Sequence, residues 1–172
     1  MKKRQGSKKY LFILLLCGIS VMSYAQTPTD SLPGDPGALA VFNVQNMSFG
    51  AFSHGGSGGT IAIAPAGTRS VTGTVTALNL GVSYYQAIFD IEAPNGAIIS
   101  ITNGPNATLT GSNGGTMSLQ LGSSSPGSPF INTIPAPGRT QVNIGGTLTV
   151  GNSTANPPGT YSGTFYIIFN QE

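Results

Sequence analysis

The sequence predicts an all-β fold, an antiparallel β-sandwich of roughly nine or ten short strands separated by turn clusters. Three observations carry this. Apolar and polar residues alternate with period two, clearly so in Thr140–Val150, as a strand with one face on a core and one in water requires. No window has the i, i+3, i+4 apolar spacing of an amphipathic helix. The 25 glycines and 12 prolines recur too often for long helices to persist.

Ahead of the strands lies a segment of another kind. Lys2, Lys3, Arg4, Lys8 and Lys9 precede an uncharged run from Tyr10 to Met22, and Ser23-Tyr24-Ala25 offers small side chains at the positions a signal peptidase inspects. This is the pattern of a cleavable signal peptide, residues 1–25, with the cut before Gln26. The run falls short of the roughly 20 residues that span a bilayer. Cys17 follows Leu16 rather than the small residue that lipid attachment prefers, so it reads as an apolar member of the signal. Export through the inner membrane is expected, with the product in the periplasm, on the outer surface or outside the cell. No stable membrane insertion is expected after cleavage.

Cleavage changes the charge balance. Arg69 and Arg139 would remain against Asp30, Asp35, Asp90, Glu92 and Glu172, a formal charge of −3 with no Lys and no Cys. Nucleic-acid binding is excluded on this reading, because phosphate contacts need clustered Lys and Arg. Disulfides are excluded as well, and a single core of this size does not need them.

Residues 26–38, with Pro28, Pro33 and Pro36, read as a flexible linker. Residues 39–172 read as one domain. The expected strands are Leu39–Gln45, Met47–Phe52, Thr60–Ala64, Arg69–Leu78, Gln86–Glu92, Ala97–Thr102, Thr116–Leu121, Thr140–Val150 and Thr160–Phe169. Met117, Leu119 and Leu121 alternate with Ser118 and Gln120; Val142, Ile144, Leu148 and Val150 all fall on even positions. Gly145-Gly146 keeps that parity, which predicts a bend or bulge instead of a hairpin. Sparse charge also removes one defence against edge-to-edge pairing, so protein partners or self-association through sheet edges are expected.

Catalytic chemistry finds little footing. His54, the sole histidine, sits in Ser53-His-Gly-Gly-Ser-Gly-Gly59, expected to be a hairpin tip, and no Gly-x-Ser-x-Gly elbow accompanies it. Asp90 and Glu92 share a strand face at i, i+2; they read as solvated, since glycosidase carboxylates flank a substrate from opposite sides. The glycine run lacks the lysine of a phosphate loop. Zinc and iron ligand sets are missing, and no Asp-rich loop supports calcium. The expectation is a non-enzyme with no cofactor. Ser70, Thr72, Thr74 and Thr76 line one strand face, the ordinary look of an exposed β surface. Tyr84 and Tyr85 are candidate glycan contacts through stacking, with a core or rim role as the competing reading. Ser31, in Asp30-Ser31-Leu32, has the form of a bacterial O-glycosylation site within an accessible linker.

Several fragments, taken in order, carry a family resemblance. They are Met47-Ser-Phe-Gly-Ala-Phe52, Gly59-Thr-Ile-Ala-Ile-Ala-Pro65 with Gly67 and Arg69, Thr72-Gly-Thr-Val75, Ala87-Ile-Phe89 with Ala93-Pro-Asn95, Ile144-Gly-Gly-Thr-Leu-Thr-Val150 and Gly159-Thr-Tyr-Ser-Gly-Thr-Phe165. The set resembles domain-of-unknown-function family 4402 over nearly all of residues 40–170. Its signature positions here are Phe49, Gly50, Gly59, Arg69, Gly73, Phe89, Gly145, Gly146, Gly159, Tyr161, Gly163 and Phe165. That family is similar in pattern to Csu-type and spore-coat-U-like fimbrial subunits, which implies an Ig-like sandwich and a surface or fibre role. The paired cysteines of many such subunits are missing. The resemblance brings no catalytic residues. It raises donor-strand assembly, with Leu39–Val44 as the donated strand, against a self-complete sandwich, which is the favoured expectation. The sequence thus points to an exported structural or interaction module of the cell surface, fimbria-like, with glycan binding as the alternative.

Overall fold

The computed structural model describes residues 37–172, in which no helix occurs and every strand pairing is antiparallel. The expected signal peptide, Cys17, Ser31 and nearly all of the expected linker lie outside the described residues. Thirteen strands follow in chain order: β1 (Ala40–Gln45), β2 (Ser48–Phe49), β3 (Phe52–Ile63), β4 (Arg69–Ala77), β5 (Tyr84–Tyr85), β6 (Ala87–Glu92), β7 (Ile98–Asn103), β8 (Ala107–Gly111), β9 (Thr116–Ser125), β10 (Phe130–Ile131), β11 (Thr140–Val150), β12 (Tyr161–Ser162) and β13 (Ile167–Gln171). Four of these are two residues long, so the longer ones agree with the strand number read from the sequence.

The main sheet runs β1-β6-β11-β9-β8-β12, with β3 and β4 joined through β11. β11 organises it. Thr140–Ile144 pairs with β6, Gly146–Val150 pairs with β3, and the opposite edge pairs with β9. Gly145 and Gly146 sit where the partner changes, and the register with β9 shifts between Ile144 and Gly146. This is the irregularity the sequence predicts. A Cβ on Gly145 would meet the Ile63 carbonyl and Pro65, so a side chain there would push β3 away from β11.

Two smaller sheets, β10-β7-β13 and β2-β5, accompany the main one. Alternation along β6, β9 and β11 puts Phe89, Ile91, Leu121, Val142 and Ile144 into one buried cluster, which β7 and β13 cover with Ile99, Ile101, Ile167 and Phe169. Phe89 and Phe169 meet at 5.5 Å between ring centroids. This is sheet-on-sheet packing, the sandwich arrangement. A second cluster, of Ile61, Ile63, Val75, Met117, Leu119, Leu148 and Val150, comes from the other half of the main sheet. Its cover is thinner: Phe49 of β2, with Met47, Phe52, Tyr161 and Phe165 packed alongside.

Three expectations are corrected. Ser53–Gly59 is not a hairpin tip; it lies inside β3, which stays paired to β4 on both sides of an irregularity between His54 and Gly59. Glycines let the backbone bulge there without ending the strand. Thr160–Phe169 is not one strand, because β12 pairs with β8 in the main sheet and β13 with β7 in the three-stranded one. The chain changes sheets between them through Gly163–Tyr166. Met47–Phe52 also divides, into β2 and the start of β3.

Candidate functional site

The thin cover over the second core cluster leaves a groove of about 920 Å³. Its floor is the inner face of the main sheet, at Phe89, Leu109, Met117, Leu119 and Leu148. One wall is Asn46–Phe52, carried by β2; the other is Pro157–Ile167, which contains β12 and the crossover to β13. The volume lies inside the range of ligand sites, roughly 300–1,000 Å³, and the lining mixes apolar side chains with polar ones such as Asn46, Ser48, His54 and Thr164. Both groove methionines, Met47 and Met117, have the unbranched, polarisable side chains that adapt to irregular partners.

Each wall is anchored by polar groups. Arg69 reaches from β4 to the first: Nη1 donates to the carbonyls of Phe49 at 3.2 Å and Ala51 at 3.3 Å, and Cζ lies 4.2 Å from the centroid of Tyr84. A single cation therefore holds β2 and β5 together. The second wall rests on Asn156, which is 1% exposed. Its Nδ2 donates to Thr116 O at 2.7 Å, and its Oδ1 accepts from Gly151 N. Asn113 Nδ2 donates to Pro158 O, and the Tyr161 hydroxyl donates to Pro157 O, both at 2.7 Å. Gly163 passes so close to Thr108 that a Cβ would collide with that carbonyl, so only glycine lets the wall lie against β8.

His54, the last β3 residue paired before the irregularity, also lines the groove. Its Nε2 donates to the Asn156 carbonyl at 3.0 Å, while Nδ1 is buried without a partner among the described residues. A carbonyl can only accept, so the proton sits on Nε2. The ring joins β3 to the second wall, and among the described residues no acid is hydrogen-bonded to it.

Asp90 and Glu92 are half-buried on β6, and Glu92 Oε2 lies 3.6 Å from Arg139 Nε in a surface pair. No group of three or more His, Cys, Asp or Glu that could hold a metal occurs among the described residues. Tyr84 and Tyr85 are 44% and 37% exposed, so they form a rim, with one Tyr84 face taken by Arg69. A shallower recess of about 530 Å³ beside Tyr84 is lined by Leu78, Asn79 and Val82. Of the signature positions, Phe49, Gly50, Gly159, Tyr161, Gly163 and Phe165 line the groove, as does Phe89. Arg69 braces it from β4. Gly59 and Gly73 face each other across β3 and β4, and Gly146 abuts Met47 and Leu119 beneath the groove. The structure thus gathers most of the signature around one feature.

Sequence reading missed both buried asparagines. Asn132 is fully buried; its Nδ2 donates to the carbonyls of Ala93, Pro94 and Ile134, and its Oδ1 accepts from the Thr140 hydroxyl at 2.7 Å. Asparagine in a Pro/Gly-rich loop looks like turn punctuation, and no sequence signal separates a buried hub from an exposed turn. The groove itself had no sequence signal, because each floor residue reads as ordinary core.

One family model, a domain of unknown function with the designation DUF4402, matches residues 39–170. No curated protein and no solved structure matches the chain.

Proposed function

The chain belongs to the DUF4402 family, and we propose that it is an exported, non-catalytic structural or interaction module of the bacterial cell surface that engages its partner through the groove. The observation that carries this reading is the apolar lining that stays only partly covered. Met47, Phe52, Leu109 and Phe165 pack on the core cluster without being fully buried, and they line an open cleft between two braced walls. Apolar surface of that kind gains from being covered, at about 25 cal/mol per Å². A fimbria-like subunit fits this reading, since an extended segment laid in the cleft would complete the second layer by strand addition. The cis pairing of β1 with β6 agrees with the favoured expectation that Leu39–Val44 serves its own domain.

Glycan binding is the second reading, favoured by the exposed tyrosine rim and the recess beside it. The groove and the recess share Leu78 and Val82, but Thr164 lines the groove alone and Tyr84 the recess alone. Immunogold labelling of intact cells, with Thr164→Arg and Tyr84→Ala compared with the unaltered protein, separates them. The groove reading expects surface label that is lost or released in Thr164→Arg and kept in Tyr84→Ala. A cytoplasmic location, or label that responds only to Tyr84→Ala, would overturn it.

A further inference from the structure

We propose that β1 is a self-association edge, through which two copies of the chain pair antiparallel about a two-fold axis with Phe42 opposite Phe42. Among the described residues, β1 is the terminal strand of the main sheet and pairs on one side only, with β6. Its other side presents unpaired backbone groups, which readily template another strand unless something defends them. The usual defences are weak here. No Asp, Glu, Lys, Arg or Pro occurs from Gly37 to Ala64, and every lysine of the chain lies within the first nine residues.

The side chains point the same way. β1 has an almost wholly exposed run, with Val41 at 42%, Phe42 at 37% and Val44 at 55%. A strand whose apolar side chains stay in water is only half covered by its own sheet. The other free edges are poorer. β10 and β12 have two residues each. β4 carries hydroxyl side chains at Ser70, Thr72, Thr74 and Thr76, and Gly73 breaks its extended backbone with φ of 66°. β13 turns Ile167 into the groove.

A second copy fits β1 for two reasons. Antiparallel pairing about a two-fold axis makes one segment complementary to itself, so each copy satisfies the other's edge in the same way. The register of Ala40–Asn43 against β6 is continuous, with the irregularity beginning after Asn43; Phe42 lies within the regular part. Side chains facing the core must meet core-facing ones across the seam, a rule that Phe42 opposite Phe42 and Val41 opposite Asn43 satisfies. The seam also lacks net repulsion from its nearest cation. Arg139 lies over the Phe42 ring, Cζ 3.8 Å from its centroid, and is paired with Glu92.

The test is light scattering of the purified chain across a concentration series, with Val41→Lys beside it and folding of each variant checked by circular dichroism. The expected result is a dimer that forms as concentration rises and a Val41→Lys variant that stays monomeric. In a Cys17→Ser background, Phe42→Cys is expected to give a disulfide-linked dimer on oxidation, whereas Ile168→Cys, on the three-stranded sheet, gives none. Thr164→Arg, which obstructs the groove, is expected to dimerise normally, so failure of the groove reading leaves this result intact. A chain monomeric at every concentration would overturn the proposal. So would dimers that persist in Val41→Lys, or that cross-link through Ile168 and not through Phe42.

Discussion

Arg69 stacks on Tyr84, 4.2 Å from guanidinium carbon to ring centroid, while its Nη1 bonds the carbonyls of Phe49 and Ala51. One side chain thereby joins β4 to both strands of the β2-β5 pair. Replacing Arg69 by Ala removes charge-assisted hydrogen bonds and a cation–π contact, together worth about 2–3 kcal/mol. Arg69→Lys is expected to recover only part of this, since a point ammonium lacks the planar fork that reaches two carbonyls while lying on a ring. Urea unfolding measures the loss, and amide exchange is expected to quicken first at residues 48–51 and 84–85.

Asn132 offers a sharper chemical test. Three carbonyls face its Nδ2. Asn132→Asp sets an acceptor where a donor belongs, and at neutral pH it leaves a buried carboxylate among carbonyl oxygens. The variant is expected to lose about 3 kcal/mol or more near pH 7. Protonation supplies one donor, so the folded variant binds its proton more tightly than the unfolded chain does. Its stability is then expected to rise as pH falls towards 4. Midpoints that stay equal at pH 7 and pH 4 would show that the hub tolerates the charge.

Two glycine substitutions are expected to differ for a stated reason. A Cβ on Gly163 meets the backbone of Thr108, whereas one on Gly146 meets the ends of Met47 and Leu119. Flexible side chains give way and strand backbones do not. Gly163→Ala is therefore expected to destabilise more than Gly146→Ala, the latter within about 1–3 kcal/mol, as overpacking usually costs. Thermal unfolding of the pair checks the order.

Electrostatics is expected to matter little. The single ion pair among the described residues, Arg139 with Glu92, is 44% and 26% exposed at its side chains. Surface pairs of this kind contribute about 0–1 kcal/mol. Glu92→Gln is expected to shift the unfolding midpoint by no more than that, and added sodium chloride to change the wild-type midpoint little. A large salt dependence would point to a charge contribution that this surface does not account for.

The strands that alternate cleanly were legible in the sequence. Thr140–Val150 has the predicted bounds, with Val142, Ile144, Leu148 and Val150 all buried, because period two survives wherever one face meets a core. Two kinds of feature were not. Ser53–Gly59 reads as a loop by composition, yet cross-strand pairing with β4 on both sides keeps it in β3. β12 and β13 continue one alternating pattern across a change of sheet, and local periodicity does not record which partner a strand has. The groove escaped for the same reason. Its floor is a set of core positions, and whether a second layer covers them is decided by strands distant in sequence.

On the proposed function, the groove takes a partner outside the cytoplasm. A photo-crosslinking residue at Thr164, on the groove wall, and another at Thr72, on the hydroxyl-lined face of β4, test it in living cells. The expected result is a covalent adduct with an envelope or extracellular polypeptide from Thr164 and none from Thr72. No adduct at Thr164, or the same adduct from both positions, would contradict it.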